Sequence, residues 1–166
     1  MLSSLGVSFL TYTKSIGCIE IAPENFKVDE INNNSLYMPD AAAAKKAGIY
    51  LEECIKNQNS SGGVCECIIT GLPVGLGDPV FEKIDANLAK AIMSIGAVKG
   101  FEIGDGFEAA KATGLTNNDA FIIKDGIVEK ATNHSGGTLG GMTDGSPLIL
   151  RAAIKPTPSI ASTQHT

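Results

Sequence analysis

The stretch from Phe81 to Ile95 does most to narrow what this chain can become. Phe81, Ile84, Leu88, Ile92 and Ile95 recur at helical spacing, while Glu82, Lys83, Asp85, Asn87 and Lys90 occupy the remaining surface. One apolar stripe must therefore be covered by another element. Just upstream, Asp78 suits an N-cap, Pro79 the first helical position and Glu82 the positive end of the helix dipole, so the helix is expected to open at Asp78. A second helical pattern runs from Asp40 to about Asn57, with Ala44, Gly48, Leu51 and Ile55 on one stripe and Lys45, Glu52, Glu53 and Lys56 mostly off it. The polar and glycine-containing run from Gln58 to Gly63 ends it.

Around these helices the pattern is that of strands. Val7 to Ile21 is rich in β-branched and aromatic residues and predicts one long strand kinked at Gly17. Pro23 to Pro39, with three asparagines at its centre, predicts a loop. Val64–Thr70 predicts a strand that enters the turn Gly71–Gly77, and Ala97–Ile103 a strand that ends at Gly104-Asp105-Gly106. Phe121 to Glu129 predicts a hairpin, because Asp125-Gly126 matches a two-residue type I′ turn. Thr113–Ala120 is expected to be a mobile loop, Pro147–Ile154 a last strand, and the tail from Ala161 to be unanchored. Two helices among strands joined by turns and hairpins predict an α+β fold, with the helices covering one face of a largely antiparallel sheet. No repeat or linker divides the chain, so residues 1–166 are expected to form a single domain.

Composition excludes some functions. The net charge of -5 offers no clustered cations for a nucleic-acid backbone, and no apolar run approaches the ~20 residues of a membrane-spanning helix. Of 13 basic residues only Arg151 is Arg, which leaves the chain poorly equipped for multiply charged anions that favour planar guanidinium forks. The start of the chain does not resemble a signal peptide, so Cys18, Cys54, Cys65 and Cys67 are expected as free thiols in a reducing cytoplasm. Cys65 and Cys67 alternate with Ile69 on one strand face and read as small buried hydrophobes. His134 and His165 stand apart from any paired ligand, so no metal site is expected.

Two segments stand out as chemistry-bearing. Asn133-His134-Ser135-Gly136-Gly137-Thr138-Leu139-Gly140-Gly141 holds four glycines in nine residues. Such a loop either makes a tight turn or offers consecutive amides to a phosphate or polarised carbonyl. It is neither a Walker phosphate loop nor a Rossmann fingerprint. In Lys155-Pro156-Thr157-Pro158-Ser159 two prolines fix an extended backbone after an apolar strand. That rigidity either directs Lys155, Thr157 and Ser159 at a ligand or marks an exposed strand exit. His134 has no carboxylate beside it in the sequence, and no catalytic residue is assigned.

Taken together, Gly71-Leu72-Pro73-Val74-Gly75-Leu76-Gly77-Asp78-Pro79-Val80-Phe81, Met93-Ser94-Ile95, Ala97-Val98-Lys99-Gly100, Glu102-Ile103-Gly104-Asp105-Gly106-Phe107, Asn133-His134-Ser135-Gly136-Gly137, Leu139-Gly140-Gly141 and Lys155-Pro156-Thr157-Pro158-Ser159-Ile160 resemble chorismate synthase in order and spacing. The resemblance is specific from Gly71 to Ile160 and vaguer before it. It implies a layered β-α-β sandwich, a homo-oligomer (a homotetramer in the family), and an anti 1,4-elimination of phosphate from 5-enolpyruvylshikimate 3-phosphate to give chorismate, with reduced FMN required. It places flavin contacts at Gly96, Ala97, Gly140, Lys155, Pro156, Thr157, Pro158 and Ser159, with Gly96 standing where the family commonly has Asn. The family's proton-transfer histidines and its Gly-Gly-Gly-Arg-Ser-Ser-Ala-Arg segment find no match here, and its Gly-Arg-His-Asp-Pro segment would lie beyond Thr166. The resemblance thus implies a central portion of the enzyme, inactive alone. The alternative is a non-catalytic flavin-binding or assembly module that keeps the fold.

Overall fold

The structure, a computed structural model, describes residues 2–164. Strands β1 (Ser8–Ile16) and β2 (Ile19–Glu20) pair antiparallel, with Ile16 opposite Ile19. The single kinked strand expected here is therefore a hairpin. Gly17 takes φ +57°, and a Cβ at this position would stand 2.6 Å from the Tyr50 ring, so the chain reverses where only glycine fits.

Helix α1 (Ala41–Lys56) begins where expected, at Asp40. Its buried face is Ala43, Ala44, Ala47 and Cys54, whereas Ile55 is 74% exposed. The stripe is rotated from the predicted one because small side chains, not the largest apolar ones, line the face turned to the protein. After β3 (Gly63–Thr70) comes α2 (Ile84–Met93), which starts later than the sequence suggests. Asp78 and Pro79 do not cap it. Residues 78–82 instead form a turn in which the Asp78 N–H donates to the Glu82 carbonyl at 3.0 Å, and Phe81 adopts φ +62°. A left-handed residue cannot belong to a right-handed helix, and Phe81 points away, 90% exposed. Ile84 and Leu88 do face the core as the period required.

Strand β4 (Val98–Ile103) follows, then the hairpin of β5 (Phe121–Lys124) and β6 (Ile127–Lys130). Its turn residues Asp125 and Gly126 have φ +53° and +79°, as a type I′ turn requires. Within the glycine-rich loop lies a second, very short hairpin of β7 (Thr138–Leu139) and β8 (Met142–Thr143). The last strand is β9 (Leu148–Ile154). The main sheet has the order β2-β1-β3-β9-β4.

Close backbone approaches give the strand directions. Gly63, opening β3, lies against Ser15 near the end of β1, and Gly71, just past β3, lies against Gly6 ahead of β1. Gly62 lies against the Ile154 carbonyl at the end of β9; the Lys155 N–H donates to Ala97 O before β4, and the Gly104 N–H after β4 donates to Ile149 O. Every neighbour is antiparallel. The α+β, largely antiparallel fold is as expected.

The residues group into two compact units. One comprises the chain up to Leu10, Cys67–Ile95 and Phe101–Arg151; the other comprises Thr11–Glu66, Gly96–Gly100 and the chain from Ala152 on. The first is built on Val7, Ile69, Leu148 and Leu150, against which Cys67, Ile84, Leu88, Phe101 and Ile103 pack. The second buries Tyr12, which meets Phe26 edge-on at 5.0 Å and donates its hydroxyl to the Glu66 carboxylate. Its tail is anchored, contrary to expectation: the Ser162 N–H donates to Gln58 O at 3.3 Å and the Gln164 side chain to Pro158 O at 3.1 Å. His165, together with Thr166, lies outside the described residues.

Candidate functional site

In the second unit, Gly96 and Ala97 lead into β4 and Lys155–Ser159 leave β9. The Lys155 N–H donates to Ala97 O at 2.9 Å, so the two segments are joined at their bases. Ala97 holds φ +69°, a strained setting for a residue with a Cβ. Behind the proline run, a Cβ on Gly62 would stand 2.5 Å from Ile154 O and 3.0 Å from the Pro156 ring, and the Ser60 hydroxyl donates to Thr157 O at 2.7 Å. The backbone of the run is thus held from one side. Gly96, Ala97 and all five residues from Lys155 to Ser159 are exposed, and nothing lies within 4 Å of the position a Cβ would take on Gly96.

Gly140 belongs to the other unit. With φ +62° it forms, with Gly141 at φ +90°, the two-residue turn between β7 and β8, and the space a Cβ would fill is open. The first half of the same loop is different. The His134 and Ser135 N–H groups donate to the two Asp119 carboxylate oxygens at 2.8 and 3.0 Å, the Gly137 N–H to Asn133 Oδ1 at 2.7 Å, and the Gly136 N–H to Asn133 O at 3.1 Å. These consecutive amides do hold an anion, but it is one of the protein's own. Burial alone would raise the Asp119 carboxyl; the Ser135 N–H, the Thr132 hydroxyl and the His134 N–H outweigh it and hold the group well below the usual carboxylate range.

Lys130, at the end of β6, donates to Ser135 Oγ at 2.8 Å, pairs closely with Asp144 and lies 3.6 Å from Asp119. His134 has a carboxylate partner after all: its Nδ1 is 2.7 Å from Asp105 Oδ2, and the Asp105 N–H donates to His134 O at 2.8 Å. Their contact needs glycine on both sides, since a Cβ on Gly104 would stand 2.1 Å from His134 O and one on Gly136 2.2 Å from Gly104 N. Arg151 is occupied structurally, donating Nε to Glu102 at 2.9 Å and Nη2 to the Gly104 carbonyl. Sequence reasoning missed Asp105, Asp119, Lys130 and Asp144. Asp105 does lie in the Glu102–Phe107 motif, but its pairing with His134, and the pairings of Asp119, Lys130 and Asp144, join residues at separations that follow no motif. A cavity of about 500 Å³ in the first unit, lined by Lys83, Phe101, Glu102 and Phe107 among others, contains none of the predicted flavin contacts. Among the described residues no cluster of three or more His, Cys, Asp or Glu is placed to hold a metal ion, and no helix is long and apolar enough to cross a membrane.

The family model for chorismate synthase matches residues 1–166. The chain belongs to the chorismate synthase family. It is 81% identical to the chorismate synthase of Agathobacter rectalis and 57% identical to that of Lachnospira eligens, in each case over 100% of this chain and 45% of the relative. A crystal structure of a chorismate synthase superposes with a TM-score of 0.87 and 33% identity over 95% of this chain and 52% of that one. The chain therefore spans about half the length of the chorismate synthases it matches, and the similarity reaches the region before Gly71 where the sequence motifs were vague.

Proposed function

We propose that this chain forms the flavin-positioning part of a chorismate synthase, contributing to the anti 1,4-elimination of phosphate from 5-enolpyruvylshikimate 3-phosphate to give chorismate. The observation that carries this is the 81% identity to the Agathobacter rectalis chorismate synthase along the entire chain. FMN, required in reduced form, supplies the difficult chemistry without net redox change, and the protein's share is to bind and orient it. The residues present fit that share. Gly96 and Gly140 leave open space where a side chain would stand, so a flat ligand can approach the backbone. Lys155–Ser159 present a proline-stiffened, exposed edge on which Lys155 serves as a point charge for a phosphate group. Arg151 is tied to Glu102 and Gly104, so the multiply anionic substrate is assigned to other parts of the enzyme and the flavin to this one.

We place the protein in the cytoplasm, a reading supported by four cysteines that form no disulfide, and expect no nucleic-acid or membrane partner. Exposed apolar side chains such as Phe81, Leu115 and Ile123 support assembly with further chain or further copies in a homo-oligomer.

The test is a graft. Residues 1–166 replace the matching stretch of the Agathobacter rectalis enzyme, and chorismate formation is followed spectroscopically with anaerobically reduced FMN. Activity near that of the parent is expected. A graft that folds and binds substrate but neither binds reduced FMN nor forms chorismate would refute the proposal.

A further inference from the structure

The most constrained polar cluster outside the predicted flavin contacts is Lys130 with Asp119 and Asp144, whose side chains are 5%, 7% and 6% exposed. Three buried charges are costly unless each is paired and hydrogen-bonded. Here the pairing is directed at the glycine-rich loop. Asp119 gathers the His134 and Ser135 N–H groups and the Thr132 hydroxyl, the last at 2.7 Å. Lys130 holds the Ser135 hydroxyl and Asp144. On the far side of the loop, the Asp144 N–H donates to Gly137 O at 3.1 Å while its carboxylate accepts from the Ser146 N–H at 2.9 Å. Both ends of the segment carrying β7 and β8 thus converge on one lysine.

That segment is tied at other points too: the Ile149 N–H donates to Gly136 O at 3.3 Å, the Ile84 N–H to Gly141 O at 2.8 Å and the Gly75 N–H to Thr143 O at 2.8 Å. A hairpin with two residues per strand cannot sustain itself, and Gly136, Gly137, Gly140 and Gly141 all sit at positive φ, where the unfolded chain gains most in freedom. We propose that Asp119 and Lys130 are positioning residues that set the conformation of the 133–141 loop and so deliver the Gly140 turn to the flavin. This rests on the assignment of Gly140 as a flavin contact. Neither residue is placed against flavin or substrate; each acts through the loop.

Asp119→Asn keeps the shape of the side chain but turns one acceptor into a donor facing an N–H. In the 166-residue chain, amide exchange at His134 and Ser135 should accelerate at least tenfold, as the loss of a charge-assisted hydrogen bond implies, while α1 amides exchange as before. In the grafted Agathobacter rectalis enzyme, reduced FMN should bind roughly tenfold more weakly if only a tenth of the molecules keep the loop in its binding shape. Ser135→Ala, which removes one ligand of Lys130 and is milder, should move both readouts the same way by less, and serves if Asp119→Asn does not fold. Gly140→Val, strained at φ +62° but with open space around it, should also weaken reduced FMN. Unchanged loop exchange in folded Asp119→Asn, or unchanged flavin affinity there while Gly140→Val loses flavin, would overturn the positioning role alone. Flavin binding unmoved by Gly140→Val would instead sink the assignment of Gly140, and the inference with it.

Discussion

Replacing Asp40 with Ala should unfold α1 from its N-terminus and cost the chain a large part of its stability. Asp40 is 3% exposed and its carboxylate accepts four hydrogen bonds: from the Ala42 and Ala43 N–H groups at 2.9 and 3.0 Å, the Ala22 N–H at 3.1 Å and the Asn25 side chain at 3.3 Å. Loss of an N-cap alone costs about 1 kcal/mol. The Ala22 donor lies outside the helix, and stranding it adds about 1–3 kcal/mol, for roughly 2–4 kcal/mol in all. For a chain of this size that is a fall in Tm of roughly 4–16 °C, readable by far-UV circular dichroism on heating. The charge adds a pH signature. Burial would raise the Asp40 carboxyl, but the Ala43 and Ala22 N–H groups, the Asn25 amide and the Ala42 N–H together lower it. A carboxyl lowered on folding stabilises above its unfolded value, about 3.9, and that contribution is lost as pH falls through the folded value. Asp40→Asn should therefore flatten the acid limb of the stability profile below about pH 4 while retaining part of the cap. A change of less than about 0.5 kcal/mol for Asp40→Ala, the range of ordinary surface substitutions, would refute the reasoning.

Gly104→Ala drives a Cβ to within 2.1 Å of His134 O at a φ of +56° and should destabilise by roughly 3 kcal/mol or more; a urea midpoint equal to that of the parent would contradict the tight backbone contact. Lys155→Met in the grafted enzyme should weaken reduced FMN without shifting Tm, because the side chain is exposed and its backbone N–H to Ala97 is kept; fluorescence titration separates the two effects. Ile123→Lys, at a position 78% exposed on the β5–β6 hairpin, should lower self-association seen by light scattering while leaving the melting profile of the monomer unchanged.

The sequence was most informative where a local rule acts alone. Asp125-Gly126 demanded a type I′ turn and made one, and the helical pattern read from Asp40 is the helix α1, with Asp40 as its N-cap. It misled where the same signal can serve two structures. Asp78-Pro79 has the composition of a helix start, yet with Gly77 at φ +103° and Phe81 at +62° the chain makes a turn, because tertiary context can override a local preference. Gly17 reads as a kink within a strand, but at φ +57° it turns the chain back into the β1–β2 hairpin, with the Tyr50 ring standing where a Cβ would be. At the candidate site, glycine density left a tight turn and a cradle of amides as alternatives, and the amides of His134 and Ser135 are taken by the protein's own Asp119. Nothing in the order of residues says that Asp119 reaches Ser135 or that Asp105 reaches His134, since those encounters are made by the fold.

Asp40 and Asp119 together show how a chain with few charges and 19 glycines keeps its irregular segments in one shape. Each is an acid sheltered from solvent, and each collects N–H groups from segments that lack partners of their own: Asp40 from the first turn of α1 and from Ala22, Asp119 from His134 and Ser135. A glycine-rich loop has the greatest entropy to lose on ordering and no side chains with which to pack. A carboxylate with two oxygens and several acceptor sites can fix two backbone amides at once, more strongly than neutral acceptors do. The result at 133–141 is a division within a single loop, in which the amides of His134 and Ser135 are committed to Asp119 and the Gly140 turn keeps open space beside it.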